Sequence, residues 1–397
     1  MNHPSQPMKT IGLITNTNPL LLKQTYDRNT SFAEVTDSAM GGNTGNIRFI
    51  HGTKKLLGDR VLPIGWGDNP ASIQKHIDHI VVCCANQIGK HVDLGRWADM
   101  IEAYDKPVTL IGLGAQASSQ NEHPEIPQGT KRFLSAVSKR RVSKFCNILV
   151  RGTYTQSVLE HEGHESIPAG CPSLLISDEP NLGTSIVNYS KSNPPHRVAV
   201  AAGNPWHSES ARLENKLVKI VSQWNGEYII QHPLVMLQYS MGESHFVDAS
   251  TKERFCKAYA DSIKPSDVSR WFIQNSIYFT DAYTWIRFLR KFDVAIGPRY
   301  HGVALAIQAG RPALAITIDS RTQELCESTG VKHITLPDSL QMSEKDLIEA
   351  AAWTESDGEL LDQTRNLQVK RFAEAFQGNI LTPSAHAFAL PGWKSDV

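Results

Sequence analysis

Apolar residues in this chain fall into short blocks of two alternating kinds. One kind is continuous and rich in Val and Ile: TIGLITN (10–16), HIVVCC (79–84), PVTLIGLGAQ (107–116) and NILVRG (147–152). Such runs read as strands buried on both faces. The other kind repeats its apolar residues at helical spacing. From Asn46 onward, Ile47, Ile50, Leu56 and Leu57 share a face; in 92–104, Leu94, Trp97, Ala98 and Ile101 do the same. A basic helix is predicted at about 129–144, and TYTQSVLEHEG (153–163) forms another. Buried strands alternating with amphipathic helices predict parallel βαβ units.

The pattern lapses once. IPAGCPSLLIS completes a first half, and PNLGTSIVNYSKSNPPHR (180–197) is rich in Pro, Ser and Asn. A domain boundary is expected there. The alternation then resumes with a strand at 197–204, a helix at 208–224, a strand YIIQHPLV, a helical stretch at 252–262, a short strand SIYFT and a helix at 281–290. Two terminal helices are expected at 343–352 and 358–377, followed by a tail. The fold class is therefore α/β: two Rossmann-like domains with parallel sheets, facing each other across a cleft. The first spans 1–185; the second spans 195–397 and carries the C-terminal helices. Ligand is expected between the C-terminal strand edges of the two.

The most informative stretch is DVAIGPRYHGVALAIQAGRPALAITIDSRTQEL (293–325). DVAIG reads as a buried strand broken by Gly297 and Pro298. HGVALAIQAG reads as a helix stopped by Gly310 and Pro312, and ALAIT as the next strand. DSR then opens a second helix, with Asp319 or Ser320 as its cap. Arg299 and His301 thus fall between a strand's C-terminal end and a helix's N-terminal end, where ligands and anions bind in such folds. Arg supplies permanent charge, and His a proton that moves near neutral pH. The plain alternative is a surface cation beside a hydrogen-bonded helix residue.

Composition narrows the class. The chain has 397 residues, 41% of them hydrophobic, with 40 Lys plus Arg against 40 Asp plus Glu. A zero balance argues against a general nucleic-acid or membrane-surface binder. No run reaches the ~18 apolar residues of a membrane span. MNHPSQPMKTIGLITN lacks a signal peptide's apolar core. The six cysteines form no C-x-x-C pair, and Cys83 and Cys84 read as buried thiols. A reduced, cytoplasmic protein is expected.

Other candidates follow from the same geometry. Arg151 ends the strand NILVRG just before a helix, the same placement as Arg299 but in the other half. Two such guanidinium groups facing across a cleft would clamp an anion, each charge-assisted bond contributing ~1.5–3 kcal/mol. Arg321 stands at a third strand end, with a salt bridge to Asp319 or Glu324 as the plainer reading. GGNTGN (41–46) lets backbone approach a ligand, which singles out Asn43, Gly45 and Asn46. GLGAQA (112–117) satisfies G-x-G-x-x-A, but a polar loop rather than a helix follows, so nucleotide binding is not inferred. Its turn, with Gly114 and Gln116, still faces the cleft edge. His161 and His164 form H-x-x-H on a solvated helix with no third ligand implied, so no metal is expected.

Taken together, these residues resemble the polysaccharide pyruvyl transferase family over roughly 10–335. Asn43-Thr44-Gly45-Asn46 is similar to its N-x-G-D loop, with Asn46 in place of the acid. Leu110 to Gly114 resembles its strand ending in G-x-G. Arg151 through Leu159 resembles R-D-x-x-S-x-x-x-L, with Gly152 in place of Asp and a one-residue difference at the Ser. Arg299-Tyr300-His301, then Ala306, Gly310 and Pro312, resemble R-L-H followed by A-x-x-x-G-x-P. Asp319-Ser320-Arg321 looks like its D-x-K. Cys83-Cys84-Ala85 stands where the family usually has a glycine run.

The resemblance implies a GT-B-like pair of domains. It also implies transfer of pyruvate from phosphoenolpyruvate to two hydroxyls of a sugar, with no cofactor and no metal. His301, Arg299 and Arg151 would be catalytic; Asn43, Gly45, Asn46, Gly114, Gln116 and Arg321 would bind substrate. The expected partners are phosphoenolpyruvate and a saccharide or lipid-linked saccharide. A glycosyltransferase using a nucleotide sugar and a non-catalytic sugar- or phosphate-binding protein are the competing readings.

Overall fold

The computed structural model describes residues 9–117 and 120–393. The expectations for the extreme N-terminus, for Ser118 and Ser119, and for the last four residues of the tail fall outside that range. The chain builds two six-stranded sheets, each wholly parallel. The first contains β1 (Thr10–Ile14), β2 (Arg60–Ile64), β3 (His79–Cys83), β4 (Val108–Leu113), β5 (Ile148–Val150) and β6 (Ile167–Pro168), in the order β2-β1-β3-β4-β5-β6. The second contains β7 (Val198–Ala201), β8 (Glu227–Ile230), β9 (Ser276–Tyr278), β10 (Val294–Gly297), β11 (Ala313–Thr317) and β12 (His333–Thr335), in the order β12-β11-β10-β7-β8-β9.

The central strands are the ones the hydrophobic blocks announced, because both of their faces are covered. Every residue of β3, β4, β10 and β11 is buried. The strands that escaped notice are edges: β2 is largely exposed and carries Pro63, which an edge tolerates, and β12 is half exposed. Helices at Phe32–Ala39, Pro70–His76 and Val268–Asn275 were likewise missed. Each is at most eight residues long, too short for a clear repeat. The strand expected at YIIQHPLV stops at Ile230, and Leu234 opens the helix Leu234–Ser240.

Both sheets reverse their winding direction, the first between β1 and β3 and the second between β7 and β10. At such a point neighbouring connections leave in opposite directions and open a crevice. Gly297 ends β10 there with φ +151, and a Cβ on it would lie 2.2 Å from the Ala201 carbonyl oxygen. Glycine is thus needed to bring the chain this close to β7 before Arg299 leaves the sheet.

The stretch read as a polar connection is partly helical. Leu182–Ser192 buries Leu182, Gly183, Ile186 and Val187. Its partner is the long terminal helix Glu355–Gly378, whose Asp362 accepts the Gly183 N–H at 2.7 Å. The short helix Ala385–Ala389 returns to the helix Ile47–Leu56, with the Ser384 N–H donating to the Leu56 carbonyl at 2.8 Å. The end of the chain therefore packs back on the first lobe. One apolar core runs through both lobes, joining Leu13, Phe49 and Leu149 to Trp285, Val303 and Ile307.

The contact between the two helices depends on small residues, since a Cβ on Gly183 would lie 2.1 Å from the Gly358 carbonyl oxygen. Gly183→Leu is expected to cost about 1–3 kcal/mol of stability by overpacking. Urea denaturation measures this, and an unchanged midpoint would contradict the packing described.

Candidate functional site

A cavity of roughly 90 Å³, open to solvent on one side, lies between the lobes at the C-terminal ends of the strands. Each lining side chain arrives by a short route from the sheet or the loop beside it. Asn43 and Asn46 come from the loop before the helix Ile47–Leu56, Asn86 from beyond β3, and Arg151 from the residue after β5. In the second lobe, Gln231 follows β8, Arg299 and His301 follow β10, and Arg321 stands in the first turn of the helix Ser320–Thr329 after β11. Three lining residues are arginines, one is a histidine and none is a carboxylate.

Arg151 is 2% exposed. Its Nε donates to the Gly112 carbonyl at 2.9 Å and its Nη1 to Asn86 Oδ1 at 2.6 Å. Burial draws its pKa below the usual guanidinium value, and the Arg321 charge pulls in the same direction. Arg299 stands at the N-cap position of the helix Tyr300–Gln308 and donates from Nη2 to the His232 carbonyl at 3.3 Å. Its Nε is buried without a partner. Burial first, then Arg321, lowers Arg299 to about 10. Arg321 pairs with Asp319 at 2.9 Å, the plainer of the two readings, and also lines the cavity. His301 Nε2 and Gln231 Nε2 are buried and also lack protein partners. Cations that press on one another and carry unused donors make a site that favours an anion.

The groups behind this wall are mostly ones sequence reasoning missed. Glu214 is fully buried under Arg299; its Oε1 accepts the Gly203 N–H at 3.0 Å, and its Oε2 accepts the Tyr228 hydroxyl. Burial raises its pKa to about 7, against the opposing pull of those bonds and of Arg299. Glu324 backs Arg151 and is 3% exposed. Arg48 is fully buried and donates from Nε to the Gly45 carbonyl at 2.8 Å, fixing the loop that carries Asn43 and Asn46. A signal existed for Glu214, a charge on the same helical face as Leu213, Leu217 and Val218. Gln231 directly follows the buried strand β8 and Asn86 lies just beyond β3, and the rule applied to Arg299 finds them too.

Of the residues singled out from the sequence, Arg151, Arg299, His301, Asn43, Asn46 and Arg321 meet in this cavity. Three do not line it. Gly45 faces Arg48 and Gln231, and a Cβ there would crowd both. Gly114 lies against the Arg151 stem, 2.9 Å from Cδ to a Cβ built on it, so its role is to leave room. Gln116 accepts from Asn86 Nδ2 at 3.2 Å and borders a neighbouring polar hollow with His91, His123 and Asp319. His161 and His164 lie away from the cavity. Among the described residues no group of three His, Cys, Asp or Glu is placed to hold a metal, and no helix is long and apolar enough to cross a membrane.

A family model described as polysaccharide pyruvyl transferase matches residues 22–320. Nothing among curated proteins matches the sequence. The chain is similar in layout to a putative UDP-N-acetylglucosamine 2-epimerase from Listeria monocytogenes, at TM-score 0.44 and 10% identity over 90% of this chain and 91% of that one. An Anabaena protein solved with UDP and glucose aligns at TM-score 0.42 and 11% identity over 94% and 97%. The UDP-GlcNAc 2-epimerase from Neisseria meningitidis bound to UDP-GlcNAc aligns at 0.42 and 10% over 94% and 100%.

Glu214 carries a pH prediction. Its pKa rises on folding from 4.5 to about 7, so the native state holds the proton more tightly than the unfolded chain. The stability it contributes is complete below 4.5 and disappears as pH climbs to about 7. Relative to Glu214→Gln, the wild-type unfolding free energy is expected to fall across that window, by up to about 1.4 kcal/mol per pH unit. Urea titrations at several pH values measure the difference, and a flat one would remove Glu214 as the buried acid.

Proposed function

The chain belongs to the polysaccharide pyruvyl transferase family, and on that premise we propose that it moves pyruvate from phosphoenolpyruvate onto two hydroxyls of one saccharide, closing a cyclic ketal and releasing phosphate. One observation carries the reading. Arg151 from one lobe and Arg299, Arg321 and His301 from the other line a single cavity with no lining carboxylate. Phosphoenolpyruvate presents a phosphate and a carboxylate on one three-carbon frame, so cations on opposite walls suit its two ends.

The chemistry follows from the charges. His301, protonated, gives its proton to the methylene carbon of the donor, which becomes a methyl group. The adjoining carbon turns electrophilic, and a sugar hydroxyl adds to it, its proton returning to the neutral imidazole. The carbon–oxygen bond to phosphate then breaks, and phosphate takes the electron pair. Arg151 and Arg299 stabilise the charge that builds there. The second hydroxyl adds to the same carbon, gives its proton to the departing phosphate, and closes the ring. Every step is proton transfer or addition and departure at one carbon, so the scheme calls for no cofactor or metal. Asn43 and Asn46 offer amide groups to the acceptor side.

Phosphate release with phosphoenolpyruvate and a panel of glycosides, followed by mass spectrometry of the product, tests the reaction. Run in heavy water, the ketal methyl is expected to carry one solvent deuterium. Arg151→Met or Arg299→Met should weaken donor binding by roughly 10–150-fold, the equivalent of one charge-assisted bond. His301→Ala should lower turnover by ~10²–10⁴ with little change in donor affinity. If His301→Ala keeps most of its phosphate release, another group supplies the proton.

A further inference from the structure

The helix Thr153–His161 begins directly after Arg151, and its N-cap is Gly152, which has no side chain to satisfy the first free N–H groups. The second lobe meets that need. Glu324, in the helix Ser320–Thr329, reaches across the lobe boundary so that Oε1 accepts the Thr155 N–H at 2.6 Å and Oε2 accepts the Thr155 hydroxyl at 2.7 Å. Thr155 is the third residue of its helix, the position a capping side chain at 152 would serve. The carboxylate occupies that very space: a Cβ on Gly152 would lie 2.7 Å from Glu324 Cγ and 2.9 Å from Oε1. The Thr155 hydroxyl in turn accepts the Ala115 N–H at 2.9 Å, next to the Gly114 that leaves room for the Arg151 stem. Glu324 thus reaches Arg151 on both sides, through the helix that follows it and through the turn it packs on. The same second-lobe helix also supplies Arg321 to the cavity, three residues earlier and on the same face.

We infer that Glu324 is a positioning residue for donor binding: its carboxylate caps the first-lobe helix from the second lobe and holds Arg151 in the cavity only while the lobes are docked. The inference rests on the proposed reaction for the identity of the donor alone. Glu324, behind Arg151, also moderates the repulsion between Arg151 and Arg321.

Three proteins test it: wild type, Glu324→Ala, and Glu324→Ala with Gly152→Asp, in which the cap returns within the first lobe. Hydrogen exchange at 153–156 reads the cap without ligand; calorimetric titration with phosphoenolpyruvate reads Arg151. Glu324→Ala is expected to speed exchange in that segment and to weaken phosphoenolpyruvate at least tenfold. The double variant should restore slow exchange and bring affinity back to within threefold. Should Glu324→Ala fail to fold, Glu324→Gln serves, with a smaller loss of affinity expected because one acceptor oxygen remains. Unchanged exchange or unchanged affinity in the folded single variant overturns the inference. So does a double variant that recovers exchange but not affinity. Failure of the wild type to bind phosphoenolpyruvate counts against the donor assignment instead, and the exchange comparison still decides the cap.

Discussion

The site is organised around the repulsion of like charges. Arg151, Arg299 and Arg321 converge with His301 on one cavity, and two of the arginines are largely withdrawn from water. Gathering cations in this way costs free energy, and the fold recovers part of it through carbonyl and amide oxygens. Gly112, Asn86 and His232 accept from the guanidinium groups, and Glu214 and Glu324 lie behind them. None of these compensations fills the cavity itself. A dianion arriving there meets donors already held in place, so little reorganisation opposes its binding.

Keeping that arrangement requires the lobes to stay docked, and the contacts that dock them are also the contacts that shape the site. Glu324 caps a first-lobe helix from the second lobe. Glu243 does the same for the helix Phe32–Ala39, accepting the Phe32 and Ala33 N–H groups at 2.9 and 3.0 Å. The loop leading to Asn46 is tied down by the Thr44 N–H, which donates to the Gln231 carbonyl at 3.1 Å, and by His232, which meets the Gly42 carbonyl at 3.0 Å. Carboxylates on helix N-termini are directional as well as attractive. Apolar contact between the lobes supplies adhesion, while these polar ties fix the register at which the walls of the cavity face each other.

What the sequence made legible follows from what repeats in it. A strand covered on both faces must be apolar throughout, so β3, β4, β5, β10 and β11 stood out, and with them the strand ends where Arg151 and Arg299 lie. Edge strands such as β2 carry no such demand and were silent. The stretch at 180–197 looked like a connection because its Ser and Asn residues face outward, yet Leu182, Ile186 and Val187 pack against a helix more than a hundred and fifty residues later. No local pattern encodes that partner. Glu324 was read only as a possible partner for Arg321, for the same reason. In the chain it is an ordinary acid on an N-terminal turn; its meaning lies in Thr155, on the opposite lobe. Gly152 was visible only as a departure from a familiar pattern, and it becomes intelligible once the carboxylate occupying its side-chain space is seen.

The choice of cation matters as much as its position. Burial and a neighbouring cation lower Arg299 to about 10, and it stays charged at neutral pH only because a guanidinium starts so high. A lysine, ordinarily near ~10.4, drawn down as far would sit close to ~8 and begin to lose its proton where the protein has to work. Arginine therefore lets the fold withdraw charge from water without forfeiting it. In the proposed reaction His301 is the reverse case, a ring that gives up its proton, standing two residues from Arg299 with its Nε2 committed to no protein partner. On that proposal the two residues divide the labour of one strand end: the guanidinium holds charge that does not change during the reaction, and the imidazole carries the charge that does.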